Sequence, residues 1–272
     1  MTKQQLVSSR ELSDLLSAVR EAGEVCLRIR EAKRIRHEIK SDMSPVTEAD
    51  FAANRIIESC LNSLEFRAPV YSEESSTSQP CHDSTFWLVD PLDGTKEFIS
   101  GSSDFTQNVC LIIDGNPVLG VVYAPAHDYM AWTAGDGFRT SGAIEFASVA
   151  RGSNSESDVV VVASKSHLDE ETGAFLDKYP TARTVQMGSS LKILLLAAGL
   201  ADVYPRFAPT MPWDLGAADA CLRSVGGGLF DSRGELLDYS NPLKKNPAFV
   251  GISERMMEMR DELFSAMRDA IA

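Results

Sequence analysis

The pattern of apolar and polar positions predicts two helices followed by several strands in the first half of the chain. Apolar residues at helical spacing over residues 12–29 predict a long first helix. A second helix is predicted to begin near Thr47, whose hydroxyl can cap the first turn, with Asp50 three positions on. Short β-branched and aromatic runs then predict strands at residues 70–71, 86–89, 109–113, 118–123 and 130–132, with a hairpin turn at Asp114-Gly115-Asn116.

Strand and helix patterns alternate after a polar link at residues 151–157. The predicted strands cover residues 159–163, 184–186, 203–205 and 229–230. The predicted helices cover residues 170–178 and 189–200, then open at Trp213-Asp214 and again near Ser253. Alternation of this kind is typical of α/β folds. We therefore expect an α+β half over residues 1–150 and an α/β half over residues 151–272.

Composition and charge limit the class of partner. At 272 residues and 44% hydrophobic content, the chain can bury one large core or two modest ones. A formal net charge of −13 argues against binding to a nucleic-acid polymer or an anionic membrane, because both require a basic surface. A small anionic molecule remains an acceptable ligand, provided that metal ions reverse the local field.

The cysteines and the N-terminus favour a cytoplasmic protein. An odd number of cysteines with no Cys-x-x-Cys motif predicts free thiols in a reducing compartment. The first residues lack the apolar run of a secretory signal, and no stretch approaches ~18 apolar residues, so no transmembrane segment is expected. Peripheral association with the inner face of the cell membrane stays an open alternative. The five cysteines are Cys26, Cys60, Cys81, Cys110 and Cys221.

Three acidic clusters carry the candidate chemistry: Glu73-Glu74, Asp90-Pro91-Leu92-Asp93-Gly94-Thr95 and Trp213-Asp214. Two unit charges ~4 Å apart repel each other by about 4 kcal/mol at an effective dielectric constant of 20. A fold that gathers such carboxylates needs cations to neutralise them, and oxygen ligands favour ions like Mg²⁺. Several divalent ions in one carboxylate site indicate phosphoryl hydrolysis.

The central acidic segment follows an apolar run and is predicted to turn at once. Pro91 fixes its own φ, and Gly94 permits a backbone geometry that other residues avoid. The turn leaves the Leu92 carbonyl free to act as a ligand and lets the amides of Gly94 and Thr95 point at a phosphate. Each cluster also has a simpler interpretation, namely an ordinary Asp-Gly turn, a solvated pair at Glu73-Glu74 and a helix cap at Asp214.

Taken together, these motifs resemble the inositol monophosphatase superfamily of metal-dependent, lithium-sensitive phosphatases. Its hallmarks are Asp-Pro-Leu/Ile-Asp-Gly-Thr and Trp-Asp. Because Glu97 stands where inositol phosphatases typically carry Asn, the chain is most similar to bacterial 3′(2′),5′-bisphosphate nucleotidases of the CysQ type, linked to sulfur assimilation. Further similar segments are residues 44–50, 120–125, 188–192 and 204–207. The fold implied by the resemblance is a layered αβαβα sandwich built from the α+β and α/β halves.

The resemblance implies a role for each matching position. Two or three Mg²⁺ ions are expected on Glu73, Asp90, the Leu92 carbonyl, Asp93 and Asp214. Thr95 is expected to orient the attacking water with Glu73, and Asp50 to lie behind Thr95 as a relay or proton acceptor. The expected substrate contacts are Leu92, Asp93, Gly94, Thr95, His167, Gly188, Lys192 and Asp214.

The expected donors to a second phosphate can be specified further, and two basic positions have alternative roles. The segment 188–190, which precedes Lys192 at the start of a predicted helix, is expected to offer donors to a second phosphate. His167 is either a nucleotide contact or a surface or packed histidine, and Arg206 is either a contact or structural. Most metal ligands fall in the first half of the chain, whereas the Trp-Asp motif and the nucleotide contacts fall in the second.

The activity implied by the resemblance is removal of the 3′-phosphate from adenosine 3′,5′-bisphosphate to give AMP. The alternatives are an inositol monophosphatase or other sugar-phosphate phosphatase, and a catalytically silent sensor of phosphorylated nucleotides. The expected partner is a small phosphorylated nucleotide; a homodimer and a preference for the 2′,5′ isomer remain open. Residues 75–85, rich in Ser and Thr, are either a lid or a passive loop.

Overall fold

The computed structural model describes residues 7–32, 37–40, 44–75, 83–134, 137–142, 159–165 and 169–272. Over these ranges the helices are α1 (Ser9–Glu31), α2 (Glu48–Ser63), α3 (Thr95–Ile99), α4 (Glu170–Asp177), α5 (Leu191–Ala197), α6 (Pro212–Ser224) and α7 (Arg260–Ile271). Short 3-10 helices cover Pro125–His127 and Glu254–Met259.

The strands over the same ranges form three sheets. The first strands are β1 (His37–Ile39), β2 (Pro45–Thr47), β3 (Val70–Ser72), β4 (Thr85–Asp93), β5 (Thr106–Ile113), β6 (Asn116–Ala124), β7 (Tyr129–Thr133) and β8 (Arg139–Ser141). The later ones are β9 (Val160–Ser164), β10 (Arg183–Met187), β11 (Val203–Arg206), β12 (Gly228–Asp231) and β13 (Phe249–Ile252). A six-stranded sheet has the order β3-β4-β5-β6-β7-β8, a five-stranded sheet the order β10-β9-β11-β13-β12, and β1 pairs with β2.

The two large sheets differ in strand direction. In the six-stranded sheet, β3 runs parallel to β4 and the remaining neighbours are antiparallel. In the five-stranded sheet, β9 runs parallel to both β10 and β11, whereas β13 is antiparallel to β11 and β12. The boundary predicted at residues 150–151 lies outside the described residues, between the last strand of the first sheet and the first strand of the second.

Alternating side chains place the sheets in layers. Along β4, Trp87 and Val89 pack with α1 and α2, whereas Leu88 packs on the opposite face with α5 and α6. The same central core contains one face of the five-stranded sheet, and the other face of that sheet packs against α4 and α7. The order is therefore helices, sheet, helices, sheet, helices, which confirms the predicted αβαβα sandwich.

Two predicted helices needed correction. The helix expected over residues 189–200 is shorter, Leu191–Ala197, because Ser189 adopts a left-handed φ of 53° and Gly199 a φ of 68°. The final helix, expected from about Ser253, starts as a 3-10 helix and becomes α-helical only at Arg260. Five short elements were not predicted: β1, β2, α3, β8 and β13.

The capping of α2 and the first hairpin are as predicted. The Thr47 hydroxyl accepts a hydrogen bond from Ala49 N at 3.1 Å, and Asp50 Oδ2 accepts one from Thr47 N at 2.8 Å. Asp114 and Gly115, between β5 and β6, both have positive φ, 49° and 73°. Such angles suit the tight turns that join antiparallel strands.

The described cysteines carry free thiols, as predicted: Cys26, Cys110 and Cys221 are buried, and Cys60 is half-buried. Cys81 lies outside the described residues. Among the helices that the structure describes, none is long and apolar enough to span a bilayer.

Glu11 joins the first turn of α1 to the chain that follows α2. Its Oε2 accepts hydrogen bonds from the backbone and the hydroxyl of Ser8 at 2.9 and 2.7 Å, and its Oε1 accepts one from Phe66 N at 3.0 Å. The bond from Phe66, followed by that from the Ser8 hydroxyl, lowers the pKa of Glu11 from 4.5 to about 2. The ionised carboxylate therefore stabilises both the helix start and this long-range contact.

We predict that Glu11→Gln lowers the melting temperature at pH 7 by about 2–4 °C, because it weakens a cap that typically contributes ~1 kcal/mol. The folded-state pKa lies below the ordinary value of 4.5, so this stabilisation is complete above pH 4.5 and is lost as the pH falls towards 2. Thermal unfolding followed at several pH values should show the difference from wild type shrinking in acid. Glu21→Gln, at an exposed position of the same helix, is the control; an equal loss there would contradict the prediction.

Candidate active site

A cavity of about 290 Å³ lies where the ends of β4, β9 and β11 meet α3, α5 and α6. Both large sheets therefore contribute to its wall. The acidic residues of the lining are Glu73, Asp90, Asp93, Glu97 and Asp214, and the basic ones are Lys96, Lys192 and Arg206. The hydroxyl-bearing ones are Ser44, Thr95, Ser164, Ser189, Ser190, Tyr204 and Thr210.

The end of β4 carries two of the carboxylates. Asp90 is buried, and its Oδ1 accepts a hydrogen bond from Leu92 N at 3.0 Å, which closes the turn around Pro91. The register of β4 against β5 shifts between Asp90 and Asp93, so a local irregularity lets both aspartates reach the cavity. Gly94 has a φ of 90°, and a Cβ there would lie 2.9 Å from Asp104 O. Both the conformation and the close approach require glycine.

Thr95 begins α3 and contacts Asp50 from the neighbouring helix. Its Oγ1 lies 3.2 Å from Asp50 Oδ1 and 3.1 Å from the Leu92 carbonyl, and it can donate its single proton to either. Asp50 is buried, and its other oxygen is occupied by the cap of α2. Burial raises the pKa of Asp50, although the hydrogen bonds from Thr47 oppose that shift. The carboxylate thus lies directly behind Thr95, outside the cavity lining.

Glu73 follows β3 and is held by a lysine that the sequence did not single out. Lys40 Nζ lies 2.9 Å from Glu73 Oε1 and 2.6 Å from Glu74 Oε1. Although burial opposes it, the charge of Glu73 raises the pKa of Lys40. Burial raises the pKa of Glu74 to about 7. The acidic pair is therefore neither solvated nor alone, because one ammonium bridges both carboxylates.

Asp214 both caps α6 and faces the cavity. Its Oδ2 accepts a hydrogen bond from Met211 N at 2.8 Å, so the simpler interpretation as a helix cap is also satisfied. The helix approaches the sheet closely, because a Cβ on Gly120 of β6 would lie only 2.1 Å from Ala217 O. Small residues at this contact bring the start of α6 to the end of β4.

Asp93 receives the donors that were expected to bind a second phosphate. Ser189 Oγ donates to Asp93 Oδ2 at 2.5 Å, and Ser190 N donates to the same oxygen at 2.8 Å. Gly188 N donates to Asp104 Oδ2 at 3.2 Å. The prediction that residues 188–190 offer free donors to a phosphate was therefore wrong for these three groups, because carboxylates of the first sheet already accept their protons.

Lys192 and Arg206 bring positive charge to the cavity. Lys192 is buried, donates to the Ser189 carbonyl at 2.6 Å and lies 5.4 Å from the centre of the Tyr204 ring. Burial lowers the pKa of Lys192 to about 8, although the charge of Asp93 opposes that shift. Arg206, half-buried at the end of β11, donates from Nε to Ala208 O at 3.1 Å. Its guanidinium keeps further donors for a ligand.

Burial and mutual repulsion make ionisation of the three aspartates of the site unfavourable. Burial is the largest cause that raises the pKa of Asp90 well above its ordinary value, and the charges of Glu73, Asp93 and Asp214 add to it. Burial also raises the pKa of Asp214, with the charge of Asp93 as the next cause. For Asp93 burial again dominates, opposed by the Ser189 hydrogen bond and the Lys192 charge. Lys192 thus offsets only part of the repulsion.

The oxygens that remain suit a hard cation. Each aspartate uses one oxygen in an internal hydrogen bond, from Leu92 N, Ser190 N or Met211 N. Within the described ranges, the second oxygen of each accepts no hydrogen bond and remains available as a ligand. Oxygen donors of this kind fit Mg²⁺. As the side chains lie, no three acidic, His or Cys groups of the described chain already enclose a point that could hold an ion.

The structure therefore gathers most of the predicted site in one place. Nine of the ten predicted positions that it describes line the cavity, namely Glu73, Asp90, Leu92, Asp93, Gly94, Thr95, Gly188, Lys192 and Asp214. The tenth, Asp50, contacts Thr95 from behind. His167 lies outside the described residues. Lys40 and Tyr204 were not predicted as members of the site. Tyr204 lies in the similar segment 204–207, which could have indicated it, whereas no local sequence pattern distinguishes Lys40 from an ordinary surface residue.

Comparisons with known proteins agree with this arrangement. The model of the inositol monophosphatase family matches residues 9–262. The 3′(2′),5′-bisphosphate nucleotidase CysQ of Salmonella typhimurium is 39% identical over 233 residues, which cover 84% of this chain and 94% of the relative.

Solved structures give the same fold. The crystal structure of CysQ from Bacteroides thetaiotaomicron, described as a bacterial member of the inositol monophosphatase family, superposes with a TM-score of 0.74 and 32% identity, covering 91% of this chain and 98% of that one. A second structure, an inositol monophosphatase/NADP phosphatase complexed with Mg²⁺ and phosphate, has a TM-score of 0.70 at 17% identity, covering 88% and 90%. Family model, curated relative and fold together place this chain in the inositol monophosphatase family.

Proposed function

We propose that the chain is a Mg²⁺-dependent phosphatase that removes the 3′-phosphate from adenosine 3′,5′-bisphosphate to give AMP and phosphate. The observation that carries this proposal is the convergence of Glu73, Asp90, Asp93 and Asp214, from three separate parts of the chain, on one cavity. Their burial and mutual repulsion raise the pKa values of the three aspartates, so the ionised set needs added positive charge. The CysQ relatives support the choice of nucleotide.

Five groups would hold the metal: the carboxylates of Glu73, Asp90, Asp93 and Asp214 and the carbonyl of Leu92. Two or three Mg²⁺ ions, when bound, would lower the pKa of a water molecule and offset the charge of the phosphate. Glu73 would exchange the Lys40 ammonium for this cation, whereas each aspartate would keep its internal hydrogen bond and use its other oxygen.

Thr95 would aim the attacking water together with Glu73. The Thr95 hydroxyl already lies between Asp50 and the cavity, so a proton that it gives up has an acceptor 3.2 Å away. The raised pKa of Asp50, caused by burial, suits a group that receives a proton during the reaction. The backbone of Gly94 and Thr95, at the start of α3, would hold the transferred phosphate beside these groups.

Lys192 and Arg206 would recognise the second phosphate of the nucleotide. Both side chains line the cavity, and with Lys96 they supply positive charge to a site that holds five acidic side chains. His167 remains a proposed contact, and Asp214 and Gly188 complete the proposed binding surface. An inositol monophosphate lacks the second phosphate that Lys192 and Arg206 would bind. The two basic side chains therefore favour a bisphosphate as the substrate.

A panel of substrates tests the proposal directly. Phosphate release from adenosine 3′,5′-bisphosphate should have a kcat/KM about 10- to 100-fold higher than release from inositol 1-phosphate, because one charge-assisted hydrogen bond contributes ~1.5–3 kcal/mol. Removal of divalent ions with EDTA should abolish both reactions, and added Mg²⁺ should restore them. A higher kcat/KM for the inositol ester would refute the choice of substrate.

We predict that Asp93→Asn lowers kcat by more than about 100-fold, beyond the 10- to 100-fold loss that is typical for a partner outside the metal ligands. The fold should be retained, because an asparagine oxygen can still accept from Ser189 and Ser190. The metal-free variant should melt no lower than wild type, since one repelling charge is gone. Asp114→Asn, in an exposed turn, is the matched control; near-normal turnover of Asp93→Asn would remove Asp93 from the metal ligands.

Thr95→Ala should lower kcat by about 10²- to 10⁴-fold and leave KM almost unchanged, because the hydroxyl is proposed to direct water rather than to bind the nucleotide. Thr95→Ser keeps the hydroxyl beside Asp50 and should retain most of the activity. Steady-state kinetics on the three proteins measure this difference. A change in KM alone would show that Thr95 binds substrate instead.

A further inference from the structure

Two buried polar residues of β5 lie opposite the aspartates of β4. Thr106 pairs with Asp93, and Asn108 pairs with Asp90. Both are buried, with 0% and 1% of their surface exposed, in a strand whose later residues are mostly apolar. Neither residue lines the cavity, so neither contacts the proposed substrate. Contact with the substrate therefore does not explain why two polar residues are buried behind the carboxylates.

Hydroxyl groups connect Thr106 to Asp93. Thr106 Oγ1 lies 2.6 Å from Ser189 Oγ, which in turn donates to Asp93 Oδ2 at 2.5 Å. Because Ser189 donates its one hydroxyl proton to the carboxylate, Thr106 is the donor in the bond between the two hydroxyls. Asn108 Oδ1, 3.2 Å from Thr106 Oγ1, competes for the Thr106 proton, but the 2.6 Å distance to Ser189 Oγ is shorter and favours Ser189 as the acceptor. The bonds therefore run in one direction, from Thr106 through Ser189 to Asp93. Each donor in such a chain polarises the next.

Ser190 strengthens the same arrangement. Its amide donates to Asp93 Oδ2 at 2.8 Å, and its hydroxyl donates to Asn108 Oδ1 at 2.8 Å. Thr106 Oγ1 also lies 2.9 Å from Ser190 Oγ. Since Thr106 gives its only proton to Ser189, it is an acceptor in this contact and shares the single Ser190 hydroxyl proton with Asn108. The strand β5 thus holds both serines, which come from the second half of the chain, against the carboxylate of the first.

Ser189 adopts a backbone conformation that serine rarely takes. Its φ is 53°, and among the described non-glycine residues only Asp114 and Asp128, both in turns, share a positive φ. Aspartate tolerates this region better than serine does, because its side chain can bond locally. A strained residue persists only when its surroundings fix it. Here the fixing interactions are the contacts of its hydroxyl with Thr106 and Asp93 and the bond from Lys192 Nζ to its carbonyl.

We propose, on the basis of the function proposed above, that Thr106 is a positioning residue for Asp93. Its hydroxyl holds Ser189 in the left-handed conformation, so that Ser189 and Ser190 occupy Asp93 Oδ2 and direct the other oxygen to the cavity for a divalent cation. Thr106 itself contacts neither the proposed substrate nor the cation. Without the Thr106 hydroxyl, Ser189 loses one of the three partners that keep it in this conformation, and Asp93 gains a second orientation.

Thr106→Val tests this assignment, because valine keeps the shape and the β-branch and removes only the hydroxyl. Calorimetric titration of the metal-free full chain with Mg²⁺ should give a Kd about 5- to 10-fold higher than wild type. The kcat for adenosine 3′,5′-bisphosphate at saturating Mg²⁺ should fall about 3- to 10-fold, with KM within about twofold, as expected for one lost hydrogen bond. Thr106→Ser, which restores a hydroxyl, should recover both values.

Two controls separate positioning from packing. Thr133→Val removes another buried threonine hydroxyl from the same sheet, away from the cavity. It should leave Mg²⁺ affinity unchanged even if both variants melt at lower temperature. A crystal structure of metal-free Thr106→Val should show Ser189 relaxed to negative φ and the Ser189–Asp93 hydrogen bond lost.

Unchanged Mg²⁺ affinity in folded Thr106→Val, or an equal loss in Thr133→Val, overturns the assignment. A wild-type chain that neither binds Mg²⁺ nor releases phosphate refutes the proposed function instead. In that case the metal-free crystal structure still decides the role of Thr106, since a retained Ser189–Asp93 hydrogen bond in Thr106→Val rejects it.

Discussion

The repulsion among carboxylates at the end of β4 is the constraint on which the rest of this structure depends. Asp90 and Asp93 from strand β4 and Asp214 from helix α6 meet in a space shielded from water, and burial makes each charge more costly. Within the described chain, Lys40 and Lys192 are the lysines whose charges act on this set, through Glu73 and Asp93 respectively. Such an arrangement is unfavourable for stability by itself, and added positive charge would relieve the repulsion.

The fold withstands this cost through backbone donors and close packing. Every aspartate of the set keeps one oxygen in a hydrogen bond to a backbone amide, which fixes its direction without neutralising it. The αβαβα layers bring these amides together, because α6 lies directly on β6 where Gly120 has no side chain. The hydroxyls of Ser189 and Thr106 add support from the opposite side. The packing of layers that is typical of the inositol monophosphatase family thus also sets the geometry of the site.

Periodicity predicted the long elements well and the short ones poorly. Helices α1 and α2 have uninterrupted apolar stripes and capping boxes, so local sequence is enough to place them. The helix predicted over residues 189–200 was too long, because the bond from Ser189 to Asp93 overrides the helical preference of its neighbours. The strands β1 and β8 have three exposed residues each, and such segments carry no apolar alternation from which to predict them.

The sequence by itself determined which residues carry charge and how the backbone turns between Asp90 and Thr95, because both properties are local. It also indicated the family, since the spacing within the acidic motifs is short and specific. The contact of Thr95 with Asp50 was expected from the resemblance, but only the tertiary structure decided that Lys40 pairs with Glu73 and that Ser189 donates to Asp93 across 96 positions of chain. Those contacts depend on strand register and layer packing, and a hydrogen bond forms only when two groups come within about 3 Å of each other, a distance that no one-dimensional pattern encodes.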